Sequence, residues 1–555
     1  MFIRFRTAIQ KMLRSAENMV SAIENSPLRL RDFTLAFLSI ILVRLLIEAG
    51  TNSFSSEPVS YMFYEFSHTF LFFLFAFLVF LPVVRLAGAK SLESATSLLL
   101  FGFLIIWTPP IIDKLMFGNE PFWSFYELDS LRGMLSQFFT FFDDTPRIGI
   151  TYGVRTEVAV MSVVLGLYAL LKSRKVLRAA GITLLAYTVF FILGTFPSWV
   201  AIPVLGFEKG ILSVTEFDIA GYMLSPENIF GTSVSDPRMA LGAKMSIVYA
   251  LLSVLAVGAL LFRSSKKTFF SLLRNTRFPQ AIWHGGLLLL GGGLAIIFAG
   301  VRPDFSFFEI LSILLLIAGI ESAWIASVVG NDLADRSIDE KTNPLRPIPT
   351  GDIRPGLYAE IGALFFLASL LFSAIVSFKA MLLLLAYQGI AWVYSMPPLR
   401  LKRIPVIATV LAAMAGMAIL LSGFSVSAPE ADIRSVPLSI LFFLFVAYAA
   451  TLPLKDFKDI EGDRADGVLT IPVLFGAERS RIIIGSALFL CYMASPVVLH
   501  EAKLIVPSIL FGSLSFWNVV RAERGKHSWG TFRSLPGWNM LFIGLYGVFA
   551  ALILL

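Results

Sequence analysis

The chain has 555 residues, of which 57% are hydrophobic and only 15% charged, and its mean hydropathy is +0.79. Soluble globular domains carry about 25% charged residues, so this composition excludes an ordinary soluble protein and indicates one that resides in a bilayer. The formal net charge is +7, and the single cysteine, Cys491, excludes an intrachain disulfide and a thiolate metal site.

The first 33 residues combine basic side chains with apolar residues at roughly helical spacing. The basic residues are Arg4, Arg6, Lys11, Arg14, Arg29 and Arg31. This pattern is typical of an amphipathic helix that lies on the membrane surface. The segment lacks the continuous apolar core and the small-residue cleavage site of a secretory signal peptide, so we expect the N-terminus to be retained.

Apolar runs of about 17–25 residues recur along the whole chain, and each is long enough to cross a hydrocarbon core about 30 Å thick as a helix. They predict an all-α integral membrane protein with about fifteen transmembrane helices, about six before residue 270 and nine after it. The predicted spans lie near residues 34–50, 64–84, 94–112, 156–171, 179–203, 241–262, 282–300, 306–328, 357–377, 380–396, 405–424, 436–453, 481–499, 503–520 and 536–555.

The charges between these spans follow an alternating pattern. With the N-terminus in the cytosol, every segment predicted to be cytosolic is basic, whereas the opposite segment 50–61 has no lysine or arginine. Basic residues of short loops favour the cytosolic side. We therefore expect a multi-pass protein of the inner or plasma membrane, with a cytoplasmic N-terminus and with the loops after residues 330, 400 and 455 on the same side.

A basic, polar connector at residues 263–280 separates two halves, and we place a domain boundary there. Residues 1–275 would form a six-span membrane domain of unknown role, for which a transporter or lipid-handling function stays open. Its one notable pair is Arg44 and Glu48, which share a helix face and can neutralise each other inside the membrane. Residues 276–555 would form the second domain.

The loop after the eighth span carries closely spaced oxygen ligands. On a continuing helix, Asn331, Asp335 and Asp339 lie four residues apart, and Asp332 lies three before Asp335, so all four share one face. Prolines at positions 344, 347 and 349 prevent a long helix beyond it. We therefore expect Arg346 to lie on a loop that folds near the acidic face.

A second acidic group follows the twelfth span, where Asp456, Asp459 and Asp463 occur at i, i+3 and i+7 beside Lys455. Carboxylates without histidine or cysteine favour a hard cation such as Mg²⁺. Two such faces with basic neighbours suit a diphosphate leaving group, whose charge metal ions and cations must neutralise. The alternative is that these are solvated charges beside the lipid head groups.

A third segment, Tyr394 to Arg403, lies at the cytosolic end of the tenth span. Its basic residues Arg400 and Lys402 either reach the diphosphate or act as topological anchors at the interface. His284 and Glu321 lie in or near apolar spans of the same half, where helix pairing and an acceptor pocket are both open interpretations.

These segments together resemble the UbiA superfamily of intramembrane prenyltransferases. The motifs that carry the resemblance are N-D-x-x-D-x-x-x-D from Asn331, R-P-I-P-T-G from Arg346, Y-S-x-P-P-L-R-L-K-R from Tyr394 and D-x-x-D-x-x-G-D from Asp456. The resemblance covers roughly residues 280–555, including the nine-helix count of the family. Its motifs look closer to the branch of chlorophyll synthases and digeranylgeranylglyceryl phosphate synthases than to 4-hydroxybenzoate transferases, and the extra N-terminal domain departs from the family pattern.

The resemblance implies a Mg²⁺-dependent transfer of a prenyl group from a polyprenyl diphosphate to a lipophilic or aromatic acceptor. It implies that two Mg²⁺ ions and the diphosphate are held by Asn331, Asp332, Asp335, Asp339, Asp456, Asp459 and Asp463. Of these, Asp335, Asp339, Asp459 and Asp463 are the expected catalytic residues. The expected substrate-binding residues are Arg346, Arg400, Lys402, Lys455 and Tyr394. The expected partners are the donor, the acceptor and membrane lipids, with no nucleic acid, and a terpene cyclase that uses the same site is the alternative.

Overall fold

The structure is a computed structural model of the chain. It describes residues 2–52, 59–118, 120, 123–124, 126–142, 148–226, 236–301, 305–336, 339–340, 343–458, 460–465, 467–521 and 535–554. Fifteen helices in these ranges are long and apolar enough to cross a membrane, six before residue 265 and nine after it. The prediction of an all-α membrane fold is therefore confirmed. Within the described ranges the strands are Trp123–Ser124 and Ile148–Gly149, a parallel pair of two residues each.

The chain divides into two compact units. The described residues of the N-terminal unit extend from Phe2 to Ser264, and those of the C-terminal unit from Ser265 to Leu554. The helix Lys266–Asn275 thus clusters with the C-terminal unit. The assignment of residues 1–275 and 276–555 to separate functional domains stays a prediction.

The N-terminal unit contains eleven described α-helices and two short 3₁₀ turns, Phe103–Trp107 and Ile211–Ser213. The helices are α1 (Phe2–Glu24), α2 (Leu30–Asn52), α3 (Val59–Ala87), α4 (Leu92–Gly102), α5 (Thr108–Phe117), α6 (Leu131–Thr140), α7 (Tyr152–Ser173), α8 (Val176–Gly194), α9 (Phe196–Lys209), α10 (Glu216–Leu224) and α11 (Pro237–Ser264). Two predicted spans are interrupted. A 3₁₀ turn separates α4 from α5, and α8 ends before Thr195, because Pro197 lacks an N–H and fits only the first turn of α9.

The end of the amphipathic helix α1 is attached to α7. Glu24 is buried and accepts hydrogen bonds from Tyr168 Oη (2.6 Å) and Lys172 Nζ (2.7 Å). Arg174 pairs with Glu17, which lies about two turns before Glu24 on α1. These contacts place the end of α1 beside the basic loop after α7, on the side that the charge pattern assigns to both.

The C-terminal unit contains twelve described α-helices and four 3₁₀ turns, Leu401–Arg403, Ile433–Ser435, Leu452–Lys458 and Ala502–Leu504. The helices are α12 (Lys266–Asn275), α13 (Phe278–Ala299), α14 (Phe307–Ala334), α15 (Pro355–Val376), α16 (Phe378–Ser395), α17 (Ile407–Ser427), α18 (Leu438–Thr451), α19 (Ile460–Ala465), α20 (Ile471–Phe475), α21 (Ala477–Val498), α22 (Ile505–Val520) and α23 (Leu535–Leu554). Helix α14 packs against α15, α13 and α16 pack against α17, and α21 packs against α22.

Two glycines allow α13 and α17 to approach closely. A Cβ atom added at Gly291 of α13 would lie 1.9 Å from the carbonyl oxygen of Leu420, and one at Gly423 of α17 would lie 2.1 Å from that of Leu288. Small residues at helix crossings permit this backbone contact in membranes, where lipid tails leave little hydrophobic drive for association. Residues of both helices line the cavity described below.

Candidate active site

The first acidic segment begins on α14 and continues past its end. The predicted continuous helix is interrupted, because α14 ends at Ala334 and Asp335 forms a turn (φ −100°, ψ 12°). The backbone spacing nevertheless persists: Asp335 N–H donates to Asn331 O and Asp339 N–H donates to Asp335 O, each at 2.9 Å. The predicted ligands therefore stay grouped at the end of α14.

Asp332 lies within the wall between α12, α14 and α15. Only 1% of its side chain is exposed. Its Oδ2 accepts hydrogen bonds from Asn275 Nδ2 (2.9 Å) and Tyr358 Oη (3.0 Å), and its Oδ1 accepts one from Arg346 Nη1 (3.0 Å). Arg277 Nη2 lies 3.8 Å from the same Oδ1. The Asp332 carboxylate therefore connects α14 to the end of α12, to the start of α15 and to the loop that contains Arg346.

Asp335 is the point where the third sequence segment meets the first. Arg400 donates to one of its oxygens and Lys402 to the other. Lys402 Nζ also donates to Asn331 Oδ1 (2.9 Å), which accepts a second bond from Ser395 Oγ (3.2 Å). Burial lowers the pKa of the Lys402 ammonium, while Asp335 favours its charged form. The loop after α16 thus brings two cations to the acidic segment.

Asp339 completes this group, and 3% of the residue is exposed. It accepts hydrogen bonds from Arg346 and from Asn343 Nδ2 (3.1 Å). Burial raises the pKa of the Asp339 carboxyl, and Arg346 opposes that shift. Arg346 therefore links Asp332 to Asp339, since the proline-containing loop folds back over the end of α14.

The second acidic segment lies on different local structures. Lys455 and Asp456 belong to the 3₁₀ turn Leu452–Lys458, whereas Asp463 belongs to the short helix α19. The predicted single helical face is thus interrupted, and Asp459 lies outside the described residues. Asp463 is held by Val468 N–H, which donates to its backbone oxygen (2.8 Å), and by Thr470 Oγ1 at 3.4 Å from Oδ2.

A cavity of about 1000 Å³ joins the three segments. The predicted site residues on its wall are Asn331, Asp335, Asp339, Arg346, Tyr394, Lys402, Lys455, Asp456 and Asp463. Asp332 and Arg400 instead contact these wall residues through the ion pairs described above. One end of the cavity is therefore densely charged, with both signs of charge present.

Helices α13, α14, α16 and α18 also give the cavity an aromatic wall, which adjoins the charged group because the Arg277 guanidinium lies 5.8 Å from the Trp324 ring centroid. His284, Trp283, Trp324, Tyr387 and Tyr448 all line it. His284 is 3% exposed, and its Nδ1 lies 3.0 Å from Glu321 Oε1 of α14. Its Nε2 lies 3.2 Å from the amide nitrogen of Gln280.

Several residues of the site were assigned no role from the sequence. Asn275, Tyr358, Asn343 and Ser395 were not predicted, and each hydrogen-bonds to a predicted ligand. Arg277 lies in the basic connector between the halves. The composition of that connector indicates a domain boundary but does not single out Arg277 as a site residue. Only the folded arrangement brings these side chains to the acidic group.

The oxygen donors of the cavity fit a hard divalent cation that is shared with a substrate. Among the described residues, no three or more carboxylate, histidine or cysteine side chains converge closely enough to hold a metal ion unaided. Mg²⁺ is usually bound by one or two carboxylates together with substrate phosphates and water. Asn331, Asp335 and Asp339 on one side and Asp456 and Asp463 on the other can supply such ligands.

The fold and cavity define a class of protein: a polytopic membrane protein whose cavity suits an apolar molecule with a strongly anionic head group. Comparison with known proteins identifies the family. The model of the UbiA prenyltransferase family matches residues 288–550. The bacteriochlorophyll synthase 33 kDa chain of Rhodobacter capsulatus is 31% identical over 218 residues, which are 37% of this chain and 70% of that protein. The chain therefore belongs to the UbiA prenyltransferase family and is an intramembrane prenyltransferase.

Two further similarities concern archaeal proteins. A digeranylgeranylglyceryl phosphate synthase of Methanoculleus marisnigri is 29% identical over 210 residues, or 38% of this chain and 70% of the relative. Among solved structures, a UbiA homolog from Archaeoglobus fulgidus bound to DMAPP and Mg²⁺ is 23% identical, with a TM-score of 0.39. The similarity covers 51% of this chain and 100% of that chain.

Proposed function

We propose that the C-terminal unit transfers a prenyl group from a polyprenyl diphosphate to a lipophilic or aromatic acceptor within the membrane, in a reaction that depends on Mg²⁺. The observation that carries this proposal is a single cavity whose wall combines a cluster of charged side chains with aromatic ones. A diphosphate needs cations, whereas an isoprenoid chain needs an apolar surface. The named relatives, which are synthases of a digeranylgeranylglyceryl phosphate and of bacteriochlorophyll, support a lipid-like acceptor.

The charged end would bind the diphosphate through Arg346, Lys402 and Lys455, with Arg400 behind them. Arg346, Arg400 and Lys402 pair with Asp332, Asp335 and Asp339 in the structure. When the diphosphate takes over these cations, the freed carboxylates can bind metal. The residues that would hold two Mg²⁺ ions are Asn331, Asp335, Asp339, Asp456 and Asp463, together with Asp459. The bound metal would supply charge neutralisation of the departing diphosphate.

The chemical step breaks the bond between C1 of the prenyl chain and its diphosphate oxygen, and the electron pair leaves with the diphosphate. The allylic carbon then bears positive charge, which the π faces of Trp283, Trp324, Tyr387 and Tyr448 can stabilise. A nucleophilic atom of the acceptor donates an electron pair to C1 and forms the new bond. The acceptor then loses a proton.

We propose His284 as the group that receives this proton. A Glu321 carboxylate beside Nδ1 favours the tautomer with the proton on Nδ1, which leaves the lone pair on Nε2. The Gln280 amide, 3.2 Å from Nε2, would have to turn away before Nε2 receives the proton. Glu321 and Asn331 are ten residues apart on α14, a rise of about 15 Å. That distance leaves room between His284 and the charged end for the diphosphate, C1 and the nucleophile.

The topology of the protein is a further proposal. We propose that the N-terminus and the active-site loops face the cytoplasm, in the inner or plasma membrane. The basic loops after α14, α16 and α18 meet at one cavity end, and the end of α1 contacts the basic loop after α7. Both observations support the alternation that the positive-inside pattern predicts.

The test is incubation of the purified chain in nanodiscs with Mg²⁺, labelled geranylgeranyl diphosphate and a membrane lipid extract, followed by mass spectrometry. We expect a labelled adduct that requires Mg²⁺ and is lost in Asp456→Ala. The matched control is Asp432→Ala, an exposed aspartate outside the cavity, which should keep activity. A cyclised hydrocarbon or alcohol without acceptor would instead indicate a terpene cyclase, and an adduct formed equally well in chelator would contradict the metal dependence.

A further inference from the structure

The N-terminal unit contains a second cavity, of about 200 Å³, inside its own helix bundle. Its wall carries Arg44 and Glu48 of α2, Glu65 and His68 of α3, and Glu157 of α7. All five lie within segments that are long and apolar enough to cross the membrane. Most of the remaining wall is phenylalanine and aliphatic side chains. Ionisable residues at such depth are costly, so they mark a functional site.

Arg44 is the feature that points to a ligand. The residue is only 8% exposed, and its Nη2 lies 3.4 Å from Glu48 Oε2. Among the described residues, its Nε and Nη1 have no hydrogen-bond acceptor. A buried guanidinium with unpaired donors is unfavourable unless another group supplies acceptor oxygens. The planar arrangement of its N–H groups matches a phosphate or a carboxylate.

The rest of the charged wall favours a cation. Glu48, Glu65 and Glu157 line the same cavity, and Arg44 interacts electrostatically with both Glu65 and Glu157. Arg238, at the start of α11, also lines the cavity and acts electrostatically on Glu65, but it is 42% exposed and pairs with Asp236 at 2.9 Å. The three carboxylates in the wall therefore outnumber its two guanidinium groups, which disfavours an anion that carries no cation of its own.

The polar groups next to this wall are satisfied within the protein. His68 Nε2 lies 2.6 Å from Tyr126 Oη, and Tyr249 Oη donates to the same hydroxyl at 3.0 Å. The His68 ring also packs edge-to-face on Tyr126 and tilted on Tyr249, and all three rings contact Phe72. They form an ordered aromatic wall. Among the described lining residues, the buried donors that lack a partner are Nε and Nη1 of Arg44.

We infer that this cavity binds a zwitterionic head group, with its oxyanion on the Arg44 guanidinium and its ammonium among Glu65, Glu157 and Glu48. A cavity of about 200 Å³ has the volume of about seven waters at roughly 30 Å³ each. That space holds a group such as phosphoethanolamine or a free amino acid, but no lipid tail. The shared chemistry is an oxyanion joined to a primary ammonium, whether its source is a membrane lipid or a soluble zwitterion.

The test uses the full chain in nanodiscs that contain equal amounts of phosphatidylethanolamine, phosphatidylglycerol and phosphatidylcholine, and native mass spectrometry of the lipid that stays bound. We expect preferential retention of phosphatidylethanolamine, because phosphatidylglycerol lacks the ammonium and the trimethylammonium of phosphatidylcholine cannot donate hydrogen bonds. Arg44→Gln should lower retention about tenfold or more, as the loss of charge-assisted hydrogen bonds implies. The matched control, Arg174→Gln on the exposed Glu17 pair, should keep it.

A second variant keeps the inference testable if Arg44→Gln fails to fold. Glu157→Gln should shift the retained lipid from phosphatidylethanolamine towards phosphatidylglycerol, an outcome that a purely structural glutamate would not produce. Tighter calorimetric binding of leucine than of phosphoethanolamine would assign the site to a soluble zwitterion. Retention of phosphatidylethanolamine that neither variant changes, or equal retention of all three lipids with no binding of either soluble probe, would overturn the inference.

Discussion

Asp332 and Asp456 are both acidic residues of the family motifs, yet the structure gives them different surroundings. We predict that Asp332→Asn destabilises the fold. The substitution keeps the size of the side chain but turns one oxygen into an NH₂ group, which must face either Arg346 or the two donors Asn275 and Tyr358. The loss of one hydrogen bond to a charged group costs about 1.5–3 kcal/mol.

That cost converts into a measurable shift of the unfolding midpoint. At about 2–4 °C per kcal/mol for a domain of this order of size, the thermal midpoint should fall by about 3–12 °C. The assay is intrinsic-fluorescence thermal unfolding of purified protein without donor or metal. The control, Asp456→Asn, changes a partly exposed carboxylate on the cavity wall. It should keep the midpoint within about 2 °C and lower prenyl transfer about hundredfold, as the loss of a charge-stabilising group in an active site does.

The two variants also show what would refute this reasoning. If Asp332→Asn unfolds at the wild-type temperature but loses turnover, then Asp332 acts on metal or substrate and is not a fastening residue of the wall. If Asp456→Asn lowers the thermal midpoint as much as Asp332→Asn does, then burial and hydrogen bonding do not distinguish a structural aspartate from an active-site aspartate.

Three further predictions concern the cavity and the helix bundle around it. Lys402→Gln should raise the KM for the prenyl diphosphate about tenfold, because the diphosphate loses one of the cations that bind it. The control, Lys503→Gln at an exposed position, should leave the steady-state kinetics unchanged. His284→Gln should lower kcat about hundredfold or more with little change in the donor KM, and a raised KM with unchanged kcat would show that the residue only shapes the pocket. Gly291→Ala should lower the thermal midpoint, since the added Cβ would lie 1.9 Å from a backbone oxygen and overpacking costs about 1–3 kcal/mol. The control is Gly293→Ala, whose Cβ would meet nothing within 4 Å and which should keep the midpoint.

The membrane fold could be predicted from the sequence because length and hydropathy alone decide whether a helix spans a bilayer. The motif spacing likewise predicted that Asn331, Asp335 and Asp339 would lie together. The spacing could not separate Asp332 from Asp335, although the first is in the wall and the second on the cavity surface. That difference depends on Tyr358, which reaches Asp332 from α15. No local pattern specifies which neighbouring helix contacts a given side of α14.

The N-terminal cavity shows the same limit more clearly. Arg44 and Glu48 could be paired from their spacing of four, and the structure places them 3.4 Å apart. Glu65 and Glu157 are distant in sequence and were not singled out, because each alone is one carboxylate in an apolar helix. Only the packing of α2, α3 and α7 brings them to one cavity with Arg44.

The two cavities differ in how their charges are balanced, and the difference bears on how the catalytic site works. Asp335 holds two cations of its own, Arg400 and Lys402, and Arg346 is shared between two other carboxylates. A diphosphate that bound without a metal would have to draw these cations away and leave buried carboxylates unpaired. A metal that bound without the diphosphate would similarly displace the cations from the carboxylates and leave them unpaired. On the proposed function, each ligand would therefore remove the cost of binding the other, and the ion pairs of the site would couple donor binding to metal binding.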